Sequence, residues 1–336
     1  MWTWLVAMAV AGACAWALTP FARYLAERFE ALDRPDRDRK KHRRLVPLWG
    51  GLAIFPALIL GVGAALGWTP GGRELWQYRQ NELAQRLLWL LPAWFALGTV
   101  GLIDDKFRLP PKVKLLVHML AAASVVWAGF RWSALTGFGG GEDLRVWPYV
   151  GALVSIVWIT FMTNAFNFVD GLDGLAVGQA LIAGVGLALA AGLLAAHQGD
   201  LAGRMQVSLA APLAGAVAGA GLGFWRYNRA PAKIFLGDAG STLLGFTLAV
   251  SALAAAGRGG TPLAPVVPLL CLAWPLADAT LAVIRRWRRH EPISKADHRH
   301  LHHRLLEQDF TPGAAVAFIR TVSIVLTLLG LAAAWW

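Results

Sequence analysis

Ten apolar segments of roughly 20 residues each limit what this chain can fold into more than any other feature, because a helix of that length spans the hydrocarbon core of a membrane. Hydrophobic residues make up 57% of the 336 residues and charged residues only 15%. A soluble domain of this length could not bury so much apolar surface. The sequence therefore predicts an all-α, polytopic membrane protein. Its ten spans are expected near residues 2–22, 49–68, 86–103, 113–130, 147–167, 175–196, 207–226, 239–257, 264–284 and 313–335.

Basic residues predict the orientation of these spans. No basic residue precedes the first apolar segment, whereas nine Lys or Arg lie from Arg23 to Arg44, which indicates an uncleaved anchor with its N-terminus outside. Threading ten spans from there places 23 of the 31 basic residues on the inner side and both termini outside. The net charge of +11 then follows from topology and does not indicate binding to nucleic acid. Residues 1–336 are predicted to form a single membrane domain.

Two features of the spans indicate structure and no chemistry. Cys14 and Cys271 lie in predicted spans without metal-ligand spacing, so they suggest neither a disulfide framework nor a redox site. Gly215, Gly219 and Gly223 form a ridge of small residues at four-residue spacing. Such a ridge favours close helix packing, either within the chain or between the chains of a homodimer.

The segment that begins at Asn164 places two amides and two carboxylates at the end of a predicted span. If the helix continues to Asp170, then Asn164, Asn167 and Asp170 recur every third residue and share one helical face. The segment thus indicates a cluster of oxygen ligands at a membrane surface. The alternative is a set of solvated helix caps, which Asn and Asp often supply.

Five aspartates lie at inner-side helix ends under the predicted threading. A carboxylate in or next to a membrane is costly, so these residues are functional candidates that we expect to share one site. Oxygen ligands without Cys or His at metal-ligand spacing favour Mg²⁺ over Zn²⁺. The five are Asp104, Asp105, Asp170, Asp173 and Asp238.

Four motifs follow one another along the chain. They are Gly-Leu-Ile-Asp-Asp-Lys-Phe-Arg-Leu-Pro from Gly101, Asn-x-x-Asn-x-x-Asp-Gly-Leu-Asp-Gly-Leu-Ala from Asn164, Phe-Leu-Gly-Asp-Ala-Gly-Ser from Phe235 and His-Arg-His-Leu-His-His-Arg from His298. In this order they resemble the polyprenyl-phosphate N-acetylhexosamine-1-phosphate transferases, and the resemblance covers most of the chain. The basic segment Arg39-Lys40-Lys41-His42 is also similar to the first inner loop of that family, although Leu45 stands where a proline is usual. It implies a nucleotide-binding role for His42.

The resemblance implies a reaction at the cytoplasmic face of a bacterial inner membrane. Undecaprenyl phosphate would attack the β-phosphorus of a UDP-N-acetyl sugar, which gives a lipid-linked sugar diphosphate and UMP. Phosphoryl transfer of this kind depends on charge neutralisation and in-line positioning. By the same resemblance, Asn167 and Asp238 would hold Mg²⁺, for which Mn²⁺ could substitute, and Lys114 and Asn164 would bind the substrate. The alternative role for Lys114 is that of a basic residue that anchors the inner end of a span.

The aspartates are implied to be catalytic, in two pairs. Asp104 and Asp105 are neighbours about 100° apart on a helix, so one should face the site and the other should orient it. A phosphate monoester has a second pKa of about 6 and is mostly a dianion at pH 7, so we favour positioning over base catalysis for this pair. Asp170 and Asp173 would hold the turn and contact the nucleotide or the metal shell. Asp173 could instead cap the following helix, and Asp104 could be a cap paired with Lys106.

Four histidines and an arginine form the last motif. His298, His300 and His302 alternate with a spacing of two, which suits an extended loop better than a helix, and the motif is not a zinc signature. The resemblance implies phosphate and nucleotide binding, against the alternative of a solvated basic loop. The pattern is closer to the enzymes of the family that use UDP-GlcNAc than to the peptidoglycan translocases, which have three contiguous histidines. The residues are His298, His300, His302, His303 and Arg304.

Three alternatives stay open at this point. Within the family, the donor could be UDP-MurNAc-pentapeptide or a UDP-linked deoxyamino sugar. A different class, an ion-coupled transporter, would also carry clustered acids, but its sites usually lie near the middle of the membrane. Here the acids lie at helix ends on one side, which favours the enzyme with undecaprenyl phosphate, a UDP-sugar and membrane lipids as partners.

Overall fold

The computed structural model describes residues 2–33, 45–77, 86–132, 134–135, 144–145, 147–199, 201–256, 264–291 and 300–335. Helices dominate these residues. They are α1 (Thr3–Arg28), α2 (Gly51–Trp68), α3 (Pro70–Gln77), α4 (Leu90–Phe107), α5 (Pro111–Trp127), α6 (Pro148–Val169), α7 (Leu175–Ala196), α8 (Leu201–Ser208), α9 (Ala210–Asn228), α10 (Gly237–Ala256), α11 (Val266–Cys271), α12 (Ala273–Arg288), α13 (Leu301–Glu307) and α14 (Pro312–Trp335). Two short antiparallel pairs complete the fold: β1 (Leu32–Asp33) with β2 (Val46–Pro47), and β3 (Ala134–Leu135) with β4 (Leu144–Arg145).

The prediction of an all-α polytopic membrane protein is confirmed. Eight helices in the described residues are long and apolar enough to cross a membrane. The other two predicted spans are helical but shorter. Near residues 113–130, α5 has 17 residues and ends where Gly129 takes a φ of +109°. Near residues 264–284, α11 and α12 are separated at Leu272, because the ring of Pro275 cannot be accommodated over the carbonyl of Cys271 in a continuous helix.

Helix α10 forms the centre of the bundle. Every residue from Ala239 to Ala256 is buried, and α2, α4, α6, α7 and α9 pack around it. Its polar side chains are paired, as a dry environment requires. Thr247 accepts a hydrogen bond from Trp94 Nε1 at 2.9 Å, and Ser251 donates to the carbonyl of Ala210 at 3.0 Å.

The small-residue ridge on α9 packs within the chain. A Cβ atom at Gly215, Gly219 or Gly223 would collide with the backbone of α1. Of the two interpretations of this ridge, close packing between helices of one chain is the observed one. The homodimer stays a prediction.

The loop before α2 holds the two residues that immediately precede α10. Gly50 and Gly51 donate backbone hydrogen bonds to the carbonyls of Phe235 and Leu236, each at 3.1 Å, and Phe235 N donates to Pro47 O at 2.8 Å. Since Phe235 and Leu236 immediately precede α10, these bonds hold the first turn of the central helix in place.

Candidate active site

Asp238, in the first turn of α10, lies at the centre of a polar cluster. Its Oδ2 lies 2.7 Å from Lys114 Nζ, and its Oδ1 accepts a hydrogen bond from Asn167 Nδ2 at 2.8 Å. Asn167 Nδ2 also lies 3.1 Å from Ser241 Oγ. Three helices, α5, α6 and α10, thus bring one cation, one amide and one carboxylate together at the same end of the bundle.

Asp104 and Asp105, at the end of α4, support this cluster in different ways. Asp104 Oδ2 pairs with Lys114 Nζ at 2.9 Å, while its Oδ1 accepts a hydrogen bond from Leu109 N at 2.7 Å. Asp105 Oδ1 accepts from Asp238 N at 2.8 Å. The two side chains diverge, as neighbours on a helix must, so Asp104 anchors the lysine and Asp105 anchors the start of α10.

The turn between α6 and α7 carries Asp170 and Asp173. Helix α6 ends at Val169, so Asp170 is its cap and no longer shares a helical face with Asn164. Desolvation raises the pKa of Asp170 to about 7, with repulsion from Asp238 and then Asp173 adding to it. Asp173 Oδ2 accepts from Ala232 N at 2.9 Å, which ties the turn to the segment before α10.

A cavity of about 780 Å³ opens beside these residues. Its volume is in the range of small-ligand sites. Asp105, Asn167, Asp170, Asp173 and Asp238 all line it. Phe235, Trp225, Asn228, His303 and Arg320 contribute to the remaining wall. The cavity therefore combines carboxylates, aromatic rings and cationic side chains.

His300, directly before α13, is held by a residue of α12, whereas His302 and His303 lie within α13, so the prediction of an extended loop is wrong for these two. His300 Nδ1 lies 2.9 Å from Asp278 Oδ2, and Asp278 Oδ1 accepts from Leu301 N at 2.7 Å. The imidazole of His300 lies parallel to that of His302 with 5.9 Å between ring centroids. Burial, followed by repulsion from the charge of His303, lowers the pKa of His302 to about 4. Of these three histidines, His303 lines the cavity.

Some residues predicted for the site do not line the cavity. Asn164 lies further along α6 and donates to the carbonyl of Thr160 at 2.7 Å. Arg304 is exposed on α13. Two residues, His42 and His298, lie outside the described residues. Their roles in binding stay predictions.

Two polar residues at the site were missed in the sequence. Asp278 lies in the predicted span 264–284. A single carboxylate inside a predicted span indicates a buried polar contact with another side chain. Arg320 lies within the last predicted span, 313–335. In both cases the charge within a span was the signal that could have identified them.

The donor set at the cavity is compatible with a hard cation. Among the described residues, no group of three or more His, Cys, Asp and Glu could hold a metal ion. Mg²⁺, however, is usually bound by one or two carboxylates together with substrate phosphates. Asp105 Oδ2 is buried and has no hydrogen-bond partner in the described part of the chain, which leaves it available to a ligand. Asn167, Asp238 and Asp105 therefore fit a Mg²⁺ that binds with a phosphate substrate.

Comparisons with known proteins add a family to this geometry. The model of glycosyl transferase family 4 matches residues 87–256. The probable undecaprenyl-phosphate N-acetylglucosaminyl 1-phosphate transferase of Bacillus subtilis is 31% identical over 311 residues, which are 93% of this chain and 79% of that protein. The decaprenyl-phosphate N-acetylglucosaminephosphotransferase of Mycobacterium leprae is 34% identical over 89% of this chain and 77% of its own length. The undecaprenyl-phosphate alpha-N-acetylglucosaminyl 1-phosphate transferase of Escherichia coli K12 is 29% identical over 93% and 79%.

Proposed function

Because the chain belongs to glycosyl transferase family 4, we propose that it transfers GlcNAc-1-phosphate from UDP-GlcNAc to undecaprenyl phosphate. The products would be UMP and a lipid-linked sugar diphosphate that starts the synthesis of a cell-envelope polysaccharide. One observation carries this proposal: the cluster of Asp238, Lys114 and Asn167 borders a cavity large enough for a nucleotide sugar. The names of the relatives support the lipid acceptor and the sugar.

In the proposed reaction, an oxygen of the lipid phosphate forms a bond to the β-phosphorus of the donor. The bond from that phosphorus to the bridging oxygen breaks, and UMP leaves with the bridging oxygen. A phosphate dianion needs no proton removed at pH 7, so the residues of the site act by positioning and by charge. Lys114, fixed between Asp104 and Asp238, supplies a positive charge next to Asp238, which itself lines the cavity. Its two carboxylate contacts prevent it from moving away as the reaction proceeds.

A divalent cation is part of the proposal. Mg²⁺ would neutralise the charge of the diphosphate and of the departing UMP. Asp238 and Asn167 would hold it, and Asp105 fixes the backbone at Asp238 through the 2.8 Å hydrogen bond to its N–H. Asp170 and Asp173, in the turn between α6 and α7, keep their part of the cavity wall polar.

We infer the sugar of the donor from the room that the inner loops leave for it. A lactyl-pentapeptide needs room and polar partners, whereas a small hexosamine needs only the phosphate and nucleotide contacts. Discrimination between sugar epimers depends on a few hydrogen bonds, each of about 1 kcal/mol, so related UDP-sugars should react more slowly. UDP-MurNAc-pentapeptide and UDP-deoxyamino sugars are the competing donors.

One experiment tests reaction class, donor and metal together. Purified protein is incubated with undecaprenyl phosphate, Mg²⁺ and each UDP-sugar of a panel, and UMP release is measured. We expect the fastest release with UDP-GlcNAc, no release in chelator, and recovery with Mg²⁺ or Mn²⁺. Faster turnover of the pentapeptide donor would refute the donor assignment but not the reaction. Full turnover in chelator would refute the requirement for a divalent cation. No UMP release with any donor would refute the proposed reaction.

A further inference from the structure

Arg320 is a charged residue within the otherwise apolar helix α14, and it lines the cavity. Its Nη2 donates a hydrogen bond to the carbonyl of Gly174 at 2.6 Å. Its guanidinium carbon lies 5.2 Å from the centroid of the Trp225 ring, a cation–π distance. A cation in a membrane span is costly, and such residues almost always face a polar interior and serve a function.

The packing around Arg320 leaves room for its guanidinium. A Cβ atom at Gly178 would collide with the Nε of Arg320, and one at Gly174 would lie 3.2 Å from its Nη2. Helix α14 also has a separate polar contact with α7, in which Ser323 Oγ donates to Gln179 Oε1 at 2.8 Å. Docking of α14 on α7 therefore does not depend on the charge of Arg320.

No carboxylate in the part of the chain that the structure describes neutralises the charge of Arg320. No carboxylate of the described residues lies within ion-pair distance of it, and its Nε is buried without a hydrogen-bond partner there. A guanidinium has five N–H donors in a planar fork that matches phosphate oxygens. Arg320 thus retains charge and donor capacity at the wall of a cavity in which, by the function proposed above, a nucleotide binds.

We propose that Arg320 binds the phosphate oxygens of the nucleotide, in the UDP-sugar donor and in the UMP product. The assignment rests on the proposed function, because it takes a nucleotide as the ligand of the cavity. Held by Gly174 and Trp225, the guanidinium is oriented before the ligand arrives, so little side-chain entropy is lost on binding. The contact is made equally in the bound donor and during transfer, so it should affect KM and not kcat.

The test compares Arg320→Gln, which keeps an N–H donor for Gly174 but removes the charge, with Arg320→Lys, which keeps the charge. The matched control is Ser323→Ala, which removes a buried contact between the same two helices away from the cavity. Inhibition constants are measured for UMP and for uridine, together with KM and kcat for UDP-GlcNAc and the thermal midpoint of each variant.

We expect Arg320→Gln to raise the inhibition constant of UMP and the KM of UDP-GlcNAc at least about tenfold, since a hydrogen bond to a charged group is lost. The inhibition constant of uridine and kcat should change less than about threefold. Arg320→Lys should recover part of the loss. Ser323→Ala should have the inhibition constants, KM and kcat of wild type. Equal losses for UMP and uridine, or an unchanged inhibition constant for UMP, would overturn the assignment.

A second variant covers the case in which Arg320→Gln does not fold. Gly178→Ala keeps the arginine but displaces its guanidinium by the added methyl group, and it should weaken UMP in the same way. UMP binding as in wild type by a folded Gly178→Ala protein would then contradict the role of Arg320. If wild type neither binds UMP nor releases it from any UDP-sugar, the proposed function itself fails, and the role of Arg320 fails with it.

Discussion

At the scale of residues, Asp238 connects most of the groups at the cavity. Each of its carboxylate oxygens has a polar partner, Lys114 on one side and Asn167 on the other, and Asp105 binds its backbone N–H. Because these partners come from α4, α5 and α6, a change at Asp238 disturbs contacts from three helices at once. We therefore expect activity to be more sensitive to substitution of Asp238 than to substitution of any one of these three partners.

We expect Asp238→Asn and Asn167→Ala each to lower UMP release at least about 100-fold. Each variant removes an oxygen ligand from the proposed Mg²⁺ that would neutralise the diphosphate, an effect on the order of several kcal/mol. The measurement is the rate of UMP release at saturating Mg²⁺ by protein purified from the membrane fraction. Glu307→Gln, an exposed carboxylate on α13, is the control and should retain wild-type turnover. Wild-type turnover by Asp238→Asn would show that Asp238 is not a ligand of the metal.

The sequence predicted which residues meet at the site better than it predicted what each one contacts. The divergence of Asp104 and Asp105 followed from helical geometry alone. In contrast, the shared face of Asn164, Asn167 and Asp170 depended on where α6 ends, and it ends one residue too early. Helix ends are set by local capping, which a pattern of residue types fixes only within one or two positions.

At the scale of elements, the pair of Asp278 and His300 links α12 to the start of α13. Asp278 is 1% exposed and His300 6% exposed, so the pair is shielded from water. A carboxylate only accepts hydrogen bonds, so His300 carries a proton on Nδ1 in this contact. The pair thereby fixes where α13 begins and how its histidines approach the cavity.

We predict that Asp278→Asn lowers activity at least about tenfold, because a charge-assisted hydrogen bond that orients His300 is lost. Asp278→Ala should in addition lower the thermal midpoint further, since it leaves His300 Nδ1 and Leu301 N buried without partners. Both are measured as UMP release and thermal unfolding in detergent, with the exposed Asp309→Asn as control. Full activity of Asp278→Asn would show that the orientation of His300 is unimportant.

His302 gives the same element a predicted dependence on pH. It is 2% exposed, and its pKa of about 4 lies below the ordinary value of 6.5. Protonation of His302 therefore favours the unfolded state. The contribution of neutral His302 to the free energy of unfolding is fully present above pH 6.5 and is lost as the pH falls from 6.5 to 4. The loss should reach about 3 kcal/mol.

The measurement is the unfolding free energy at pH 7 and pH 5 for wild type and His302→Gln. We expect the variant to lose less stability than wild type between these values, by about 2 kcal/mol. His197→Gln, at an exposed histidine, serves as the control and should behave as wild type. An identical loss in wild type and His302→Gln would contradict a buried, neutral His302.

At the scale of the whole molecule, apolar runs predicted the helices but not their arrangement. Helix α10 is buried from Ala239 to Ala256, whereas only 33% of the most apolar window of α14 is buried, although α14 is the more apolar helix. Hydropathy cannot separate the two, because lipid tails are as apolar as a protein interior. The small and hydroxyl-bearing residues of α10 were the better signal, since helices that pack closely on several neighbours need them.

The orientation of the molecule is a prediction that follows from the basic residues alone. It places Glu307, next to the histidine segment, on the cytoplasmic side and Gly199, between α7 and α8, on the outer side. Both positions are exposed, and a Cβ at Gly199 meets no atom within 4 Å. Replacing either residue by Cys should therefore leave the fold intact.

The two native cysteines, Cys14 and Cys271, are first changed to Ser, and each new Cys is then treated in intact cells with a membrane-impermeant maleimide. We expect Gly199→Cys to be labelled and Glu307→Cys to react only after the cells are opened. The reason is the positive-inside rule, which holds 23 of the 31 basic residues on one side, the side on which Asp104, Asp173 and Asp238 lie. Labelling of Glu307→Cys in intact cells would reverse the orientation, and with it the access of a cytoplasmic nucleotide to the cavity. Labelling of Asp238→Cys or Asp105→Cys from both sides of the membrane would favour an ion-coupled transporter over the enzyme, which should react from the inside only.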